Sequence, residues 1–180
     1  MSEVLDRAAD AALALANDRP WGDITLLEIA RAADVPFAEL YARAPSKAVL
    51  LNRLARRFDQ AALETASEAP EVHDRLFDLV MARVEAMEPH RFPLIAIGQA
   101  EGWASAAARF PRTAKALLDA AGVSTEGWRG AARIAAMTAV WARTLQVWRD
   151  DEGALNRTMA EIDKRLRQMR ERLGRIGAGF

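Results

Sequence analysis

The chain has 180 residues, 51% of them hydrophobic, a formal net charge of zero and no cysteine. This length and apolar content suit one or two small domains with a buried core. The lack of cysteine excludes disulfides and thiolate chemistry, and two histidines are too few for a His-rich metal site. A balanced charge argues against general attraction to nucleic acid but is compatible with a local basic patch.

The N-terminal segment gives no sign of export. Acidic residues appear early, at Glu3 and Asp6, and no signal-peptide core follows them. No apolar run approaches the roughly 18 residues that a membrane span needs. The sequence therefore predicts a cytoplasmic protein.

The first predicted element is a helix over residues 3–17. Pro20 and Gly22 end it, and Trp21 is expected to pack beneath the turn that follows. Its apolar side chains recur every three or four residues, as they do on one face of a helix. They are Val4, Ala8, Ala12, Leu15 and Ala16.

A second helix is predicted to begin after Thr25. A threonine followed three residues later by Glu28 forms a capping box, in which each side chain bonds the other residue's backbone amide. Pro36 ends this helix because it biases the preceding residue away from helical geometry. The apolar face consists of Leu26, Ile29, Ala30 and Ala33.

Two more helices follow closely. A short one has Pro36 in its first turn, buries Leu40 and ends before Pro45. A longer one begins at Ser46 and Lys47 and continues to residue 65, with the apolar residues Val49, Leu50, Leu54 and Phe58. Two short helices joined by a tight turn are typical of a helix-turn-helix.

Residues 25–47 resemble the signature of the TetR family of transcriptional regulators, which is close to T-x-x-x-I-A-x-x-A-G-V-S-x-x-x-L-Y-x-x-F-x-S-K. Asp34, Pro36 and Ala44 depart from it, and Leu27 stands where arginine is common. Asp34 replaces the turn glycine, and aspartate tolerates a left-handed conformation. The residues that match in order and spacing are Thr25, Ile29, Ala30, Ala33, Val35, Leu40, Tyr41, Ser46 and Lys47.

The resemblance implies which residues meet DNA. Phosphate contacts position a reading helix, and those implied here come from Thr25, Tyr41, Ser46 and Lys47. Of the side chains implied to face the groove, Arg43 can donate to guanine, Glu39 can accept from cytosine, and the others offer apolar contact. Those others are Pro36, Phe37, Ala38 and Ala42.

The charge of this segment supports an alternative. Residues 1–66 contain eight Arg or Lys and ten Asp or Glu, a formal charge of −2. Arg53, Arg56 and Arg57 either flank DNA or simply solvate a helix face. In the alternative, the three helices are a packing module that does not contact DNA.

Composition changes near residue 67 predict a domain boundary there. Residues 1–66 form a helix-turn-helix domain, and residues 67–180 form a helical domain for ligand binding and dimerisation. No alternating strand pattern occurs, so the predicted fold class is all-α, with a three-helix module followed by a TetR-like helical bundle. The predicted C-terminal helices cover residues 73–88, 90–103, 110–121, 125–149 and 154–173.

The C-terminal part resembles the helical domain of the coenzyme Q biosynthesis lipid-binding protein family. Residues 73–91, 120–153 and 155–166 carry the similarity, for example HDRLFDLVMARVEAMEPHR at 73–91. The resemblance implies a pocket for an isoprenoid or other apolar lipid. It also implies a homodimer formed through the last two long helices.

Large apolar side chains provide a candidate ligand pocket, since small-molecule sites are lined mostly by such residues. Alternatively, these residues form a packed core or a dimer seam, because Met137, Trp141 and Trp148 lie on one face of the same predicted helix. The candidate residues are Met81, Trp103, Met137, Trp141 and Trp148.

The last helix has a heptad pattern with a basic surface. Its arginines suit either peripheral contact with an anionic membrane or exposure to water on a bundle helix packed against a partner subunit. The basic residues after position 169 are Arg170, Arg172 and Arg175. The heptad residues are Leu155, Met159, Ile162, Leu166, Met169, Leu173 and Ile176.

Nothing in the sequence indicates an enzyme or a cofactor. The acidic run Asp150, Asp151 and Glu152 has no nucleophile or metal partner beside it, and it is expected to favour the start of the next helix through the helix dipole. Two functions remain. One is a dimeric TetR-like regulator whose DNA binding responds to a small apolar or lipid-like ligand, and the other is a lipid-binding accessory protein of ubiquinone biosynthesis that does not bind DNA.

Overall fold

The computed structural model describes residues 3–65, 68–151 and 153–180, and the side chain of Trp103 lies outside the described part. Within these residues the chain is all-helical, without a strand, which confirms the predicted class. No described helix has both the length and the apolar content that a bilayer crossing requires. The helices are α1 (Glu3–Asp18), α2 (Leu26–Ala32), α3 (Phe37–Arg43), α4 (Lys47–Glu64), α5 (Val72–Met87), α6 (Arg91–Glu101), α7 (Trp103–Ala107), α8 (Phe110–Ala120), α9 (Gly127–Arg149) and α10 (Asn156–Arg175), with 3-10 turns at Trp21–Asp23 and Glu88–His90.

The contacts divide the chain into two compact units. The first unit contains Met1–Arg57 and His90–Ala106, and the second contains Phe58–Pro89 and Ala107–Phe180. The sequence prediction groups α6 with the C-terminal domain. In the structure α6 packs on α1 and belongs to the first unit.

Helix α1 packs through alanine. Ala8, Ala12 and Ala16 are buried and recur every four residues, so they lie on one face of the helix. Small side chains allow neighbouring helices to come close, and α1 contacts α2, α3 and α6. Helix α1 therefore supports both helices of the helix-turn-helix.

The turn before α2 is anchored by Trp21. Its side chain is buried, as predicted, and its indole nitrogen donates a 2.8 Å hydrogen bond to Glu101 Oε1 at the end of α6. The sequence predicts one helix over residues 90–103. The structure ends it at Glu101 because Gly102 adopts a φ of +78°, which favours glycine, and the separate helix α7 follows.

The central part of the heptad seam of α10 is buried within the chain. Ile162, Leu166, Met169 and Leu173 are almost fully buried, and α10 packs on α9 and α5 of the same unit. Met159 and Ile176 of the same pattern are 41% and 56% exposed. Packing of this face on a partner subunit therefore stays a prediction.

A buried ion pair joins α4, α5 and α8 in the second unit. Arg83 Nε donates to Asp59 Oδ1 over 2.8 Å, and Thr113 Oγ1 donates to the same oxygen over 2.9 Å. The Arg83 guanidinium also lies 4.3 Å from the centre of the Trp141 ring. Burial lowers the pKa of Arg83, and the Asp59 carboxylate acts in the opposite direction. The carboxylate is therefore what makes the buried cation tolerable.

The acidic run after α9 has the structural role that the sequence predicts. Asp151 is buried, and its Oδ2 accepts hydrogen bonds from the backbone nitrogen of Thr158 (2.7 Å) and from its hydroxyl (2.6 Å). These bonds satisfy donors in the first turn of α10. Asp150 is exposed, and Glu152 lies outside the described residues.

The start of α9 folds tightly against the loop before it. Gly130 is buried, and a Cβ there would overlap the backbone carbonyl of Thr125. One turn later, Arg133 donates to the carbonyls of Ala178 (2.9 Å) and Gly179 (2.6 Å). The first turns of α9 thereby fix the loop before the helix and residues 178–179.

Candidate nucleic-acid interface

The first residue of the candidate interface, Thr25, caps α2. Its hydroxyl accepts a 3.2 Å hydrogen bond from the Glu28 amide, and Glu28 Oε2 accepts a 2.8 Å bond from the Thr25 amide. The predicted capping box is thus confirmed. The Thr25 amide, together with Arg19 at 2.8 Å and the Thr25 hydroxyl, lowers the pKa of Glu28 to about 2.

The turn between α2 and α3 depends on Asp34. Its φ is +51°, the left-handed conformation that the sequence predicts for it. The Val35 amide bonds the Ala30 carbonyl over 2.9 Å and closes the end of α2. Arg7 donates to the Asp34 carbonyl over 2.6 Å. The role of Arg7 has no sequence signal, because it lies on a different helix.

Helix α3 presents an apolar surface. Leu40 faces the core, whereas Phe37 and Tyr41 are 41% and 52% exposed, with ring centres 5.7 Å apart. Ala38 and Ala42 are also exposed. The predicted groove-facing positions therefore do lie on the accessible side of α3.

The two charged groove-facing residues pair with each other. Arg43 Nη1 lies 3.1 Å from Glu39 Oε1 and also donates to the Glu39 carbonyl over 3.1 Å. Both side chains are partly exposed. The arrangement does not test the predicted guanine contact of Arg43 or the predicted cytosine contact of Glu39.

Lys47 supports the turn before α2. Its ammonium donates to the carbonyls of Trp21 (2.7 Å) and Ile24 (2.9 Å) and lies 4.4 Å from the centre of the Trp21 ring. A lysine has three N–H donors, so one remains for a phosphate. Ser46, the preceding residue, is exposed. The phosphate contacts of both residues stay predictions.

Most other cations of this segment are also paired. Arg53 lies 2.6 Å from Asp6, and Arg57 lies 2.6 Å from Asp10, so α4 is tied to α1. Among the described basic residues up to position 57, the guanidinium groups without a partner are those of Arg31 and Arg56. The interface therefore offers phosphates few cations that are not already paired.

The candidate ligand residues of the second unit are core residues. Met81, Met137, Trp141 and Trp148 are buried, as a packed core requires. The Trp148 indole nitrogen donates to Glu88 Oε2 over 2.6 Å. The side chain of Trp103 lies outside the described part. A ligand pocket at these residues stays a prediction.

An open groove of about 230 Å³ lies elsewhere in the second unit, and its lining is polar. His73 Nε2 is 3.0 Å from Asp163 Oδ1, and Arg167 is 2.7 Å from Asp163 Oδ2. Such a lining does not suit an apolar lipid. The groove is lined by Glu71, His73, Asp74, Asp163, Arg167 and Arg170.

Comparison with solved structures finds this fold in TetR transcriptional regulators. One from Rhodococcus sp. RHA1 is 16% identical, covers 93% of this chain and 95% of its own, and gives a TM-score of 0.70. Another from Nitrosomonas europaea ATCC 19718 is 22% identical, covers 92% of this chain and 97% of its own, and gives a TM-score of 0.71. The chain therefore has the TetR-like fold over nearly its whole length.

The sequence comparisons find no such likeness. No protein-family model matches the chain, and no curated protein matches it. The resemblance of the C-terminal part to the coenzyme Q lipid-binding family is not confirmed.

Proposed function

We propose that the protein is a dimeric transcriptional regulator that inserts α3 into the major groove of DNA. The observation that supports this best is the TetR-like fold combined with a helix-turn-helix whose second helix has an exposed outer face. Thr25, at the start of α2, and Tyr41, on α3 itself, are both exposed and suit phosphate contacts. Ser46 and the third N–H of Lys47 complete the proposed set.

Dimerisation brings two recognition helices onto one DNA site, with half-sites about 34 Å apart. The proposed contact is the outer face of α9, because the central part of the apolar seam of α10 is already buried. Trp128, at the start of α9, is 62% exposed, and small side chains continue the face. They are Ala131, Ala135, Ala139 and Ala142, all exposed.

A small apolar or lipid-like ligand is the proposed effector. The core of the second unit contains the large side chains of Met81, Met137 and Trp141, and the Arg83 guanidinium lies against the Trp141 ring. Methionine adapts its shape readily, so such a core can open around a ligand. A ligand that binds the DNA-competent and incompetent states unequally shifts the balance between them.

The alternative, a lipid-binding accessory protein of ubiquinone biosynthesis, is not favoured. Two solved structures that share the fold over more than nine-tenths of the chain are described as TetR transcriptional regulators. The burial of apolar side chains of α10 also argues against peripheral membrane contact by this helix. A membrane-bound amphipathic helix needs a free apolar face, whereas Met169 and Leu173 are buried in the chain.

DNA binding at several salt concentrations tests the proposal. The purified protein is titrated with duplexes that cover the region upstream of its own gene, and its mass in solution is measured in parallel. We expect a dimer whose affinity for one duplex falls with salt and weakens in Arg43→Ala and Lys47→Ala. Arg172→Ala, at an exposed position of α10, is the control. A monomer, or equal affinity for all duplexes, contradicts the proposal.

A further inference from the structure

The exposed face of α3 has an unusual chemistry for a helix that reads bases. Hydrogen-bonded readout relies most often on arginine, lysine, asparagine or glutamine, and less often on acidic or hydroxyl side chains. Here the outward positions are Phe37, Ala38, Tyr41 and Ala42. Arg43, the one guanidinium on this helix, is bonded to Glu39 through its carboxylate and its carbonyl.

The major groove has one apolar feature that matches such a face. Thymine carries a C5-methyl group there, and no other standard base does. In helix-turn-helix proteins the N-terminal residues of the recognition helix contact base edges. Phe37 is the first residue of α3, and nearly half of its surface is exposed.

We propose that Phe37 reads thymine methyl groups, so that the DNA site contains A·T pairs where this ring lies. The inference rests on the proposed function, because it assigns the base class that the same surface recognises. The Tyr41 ring lies 5.7 Å away, tilted by 43°, and supports one side of the Phe37 ring. Ala38 and Ala42 leave space for the helix to approach the bases.

A methyl-deletion experiment tests this directly. Binding sites are first selected from random duplexes by the full-length protein. Each thymine of the selected site is then replaced by deoxyuridine, which keeps every hydrogen-bonding group and removes only the methyl. We expect about a fourfold loss of affinity for each methyl that Phe37 contacts, the effect of one buried methyl-sized group.

Two variants show whether Phe37 is responsible for the dependence of affinity on the thymine methyl groups. In Phe37→Ala the affinity for the thymine site falls, and deoxyuridine at the same positions has no further effect. Phe92→Ala removes another exposed ring of the first unit, 77% exposed on α6, and should keep the full methyl dependence. Both positions are exposed, and thermal unfolding checks that both variants fold.

The outcomes separate the two proposals. If a site is selected but deoxyuridine changes nothing, or Phe37→Ala keeps the methyl dependence, thymine readout by Phe37 is wrong and DNA recognition stands. If no DNA sequence is enriched at all, the regulator proposal itself fails, and this inference fails with it.

Discussion

The two units use their ion pairs in different ways. In the first unit, the partly exposed pairs Arg19–Glu28 and Arg53–Asp6 tie one segment of the chain to another. The second unit also has exposed pairs, such as Arg175–Glu171, but its Arg83 and Asp59 are buried between three helices. Exposed pairs contribute little and can exchange one partner for another, whereas a buried pair cannot lose one member cheaply. The exposed pairs of the first unit are thus suited to exchanging carboxylates for phosphates, and the buried pair of the second to fixing a core.

The largest expected effect concerns the buried pair. Asp59→Ala removes the carboxylate that compensates the Arg83 charge, so the free energy of unfolding should fall by about 3–5 kcal/mol. Urea unfolding followed by circular dichroism measures this.

Two controls sharpen that result. Glu171→Ala removes a carboxylate that lies 4.0 Å from exposed Arg175, and it should cost less than about 1 kcal/mol. The double variant Asp59→Leu/Arg83→Met should recover most of the stability, because apolar residues replace both charges. Similar costs for Asp59→Ala and Glu171→Ala would remove the contrast between the buried pair and an exposed pair.

A smaller effect is expected at Lys47. Lys47→Met keeps the stem of the side chain but leaves the carbonyls of Trp21 and Ile24 without the ammonium. The free energy of unfolding should fall by about 2 kcal/mol, the value of hydrogen bonds to a charged group. Lys115→Met, at an exposed pair with Asp119, should cost less than about 1 kcal/mol.

The salt dependence of DNA binding then separates two roles of Lys47. If its third N–H binds a phosphate, the slope of log affinity against log salt should become shallower by about 0.9 in Lys47→Met, because one fewer phosphate is neutralised. If the ammonium only supports the turn, the slope is unchanged. Unchanged stability in this variant would contradict the supporting role.

The sequence predicts the local elements of the interface well, because they depend on neighbouring residues. Thr25 and Glu28 are three residues apart, and the left-handed Asp34 stands where the signature has glycine. Partners distant in sequence leave no such pattern. The contact of Trp21 with Glu101, 80 positions apart, and the inward direction of Lys47 follow only from packing.

The α10 seam shows the same limit on a larger scale. A heptad pattern predicts a buried apolar face, and Ile162 and Leu166 are indeed buried. The pattern does not identify what covers that face. Packing against another long helix of the same chain satisfies the heptad pattern as well as packing against a second copy of the chain does.

Asp34→Gly tests the conformational cost of the left-handed residue in the turn between α2 and α3. Glycine adopts the left-handed conformation without the steric cost of a Cβ, so stability should rise by about 0.5–1 kcal/mol although the exposed 3.4 Å pair with Arg7 is removed. Asp34→Ala removes the same pair and keeps the Cβ, so it should be less stable than Asp34→Gly. Equal unfolding midpoints for the two variants would contradict a conformational origin.

The smallest effect is a pH dependence. Because the folded state lowers the pKa of Glu28 from 4.5 to about 2, this carboxylate stabilises the protein above about pH 4.5, and the contribution is lost as pH falls toward 2. The stability of Glu28→Gln should therefore decline less steeply than that of the wild type in this range. Thermal unfolding at half-unit pH steps measures both slopes, and parallel slopes would contradict the lowered pKa.

Gly130 has a consequence for mutational scanning of this chain. Its missing side chain allows the backbone of the preceding loop to pass directly over the first turn of α9. In a saturation library selected for function, every amino-acid substitution at this position should be depleted as strongly as substitutions at a true functional residue. The intolerance of Gly130 to substitution reflects the path of the main chain, not a role in binding. A map of essential positions has to separate such structural glycines from binding residues before it assigns functions.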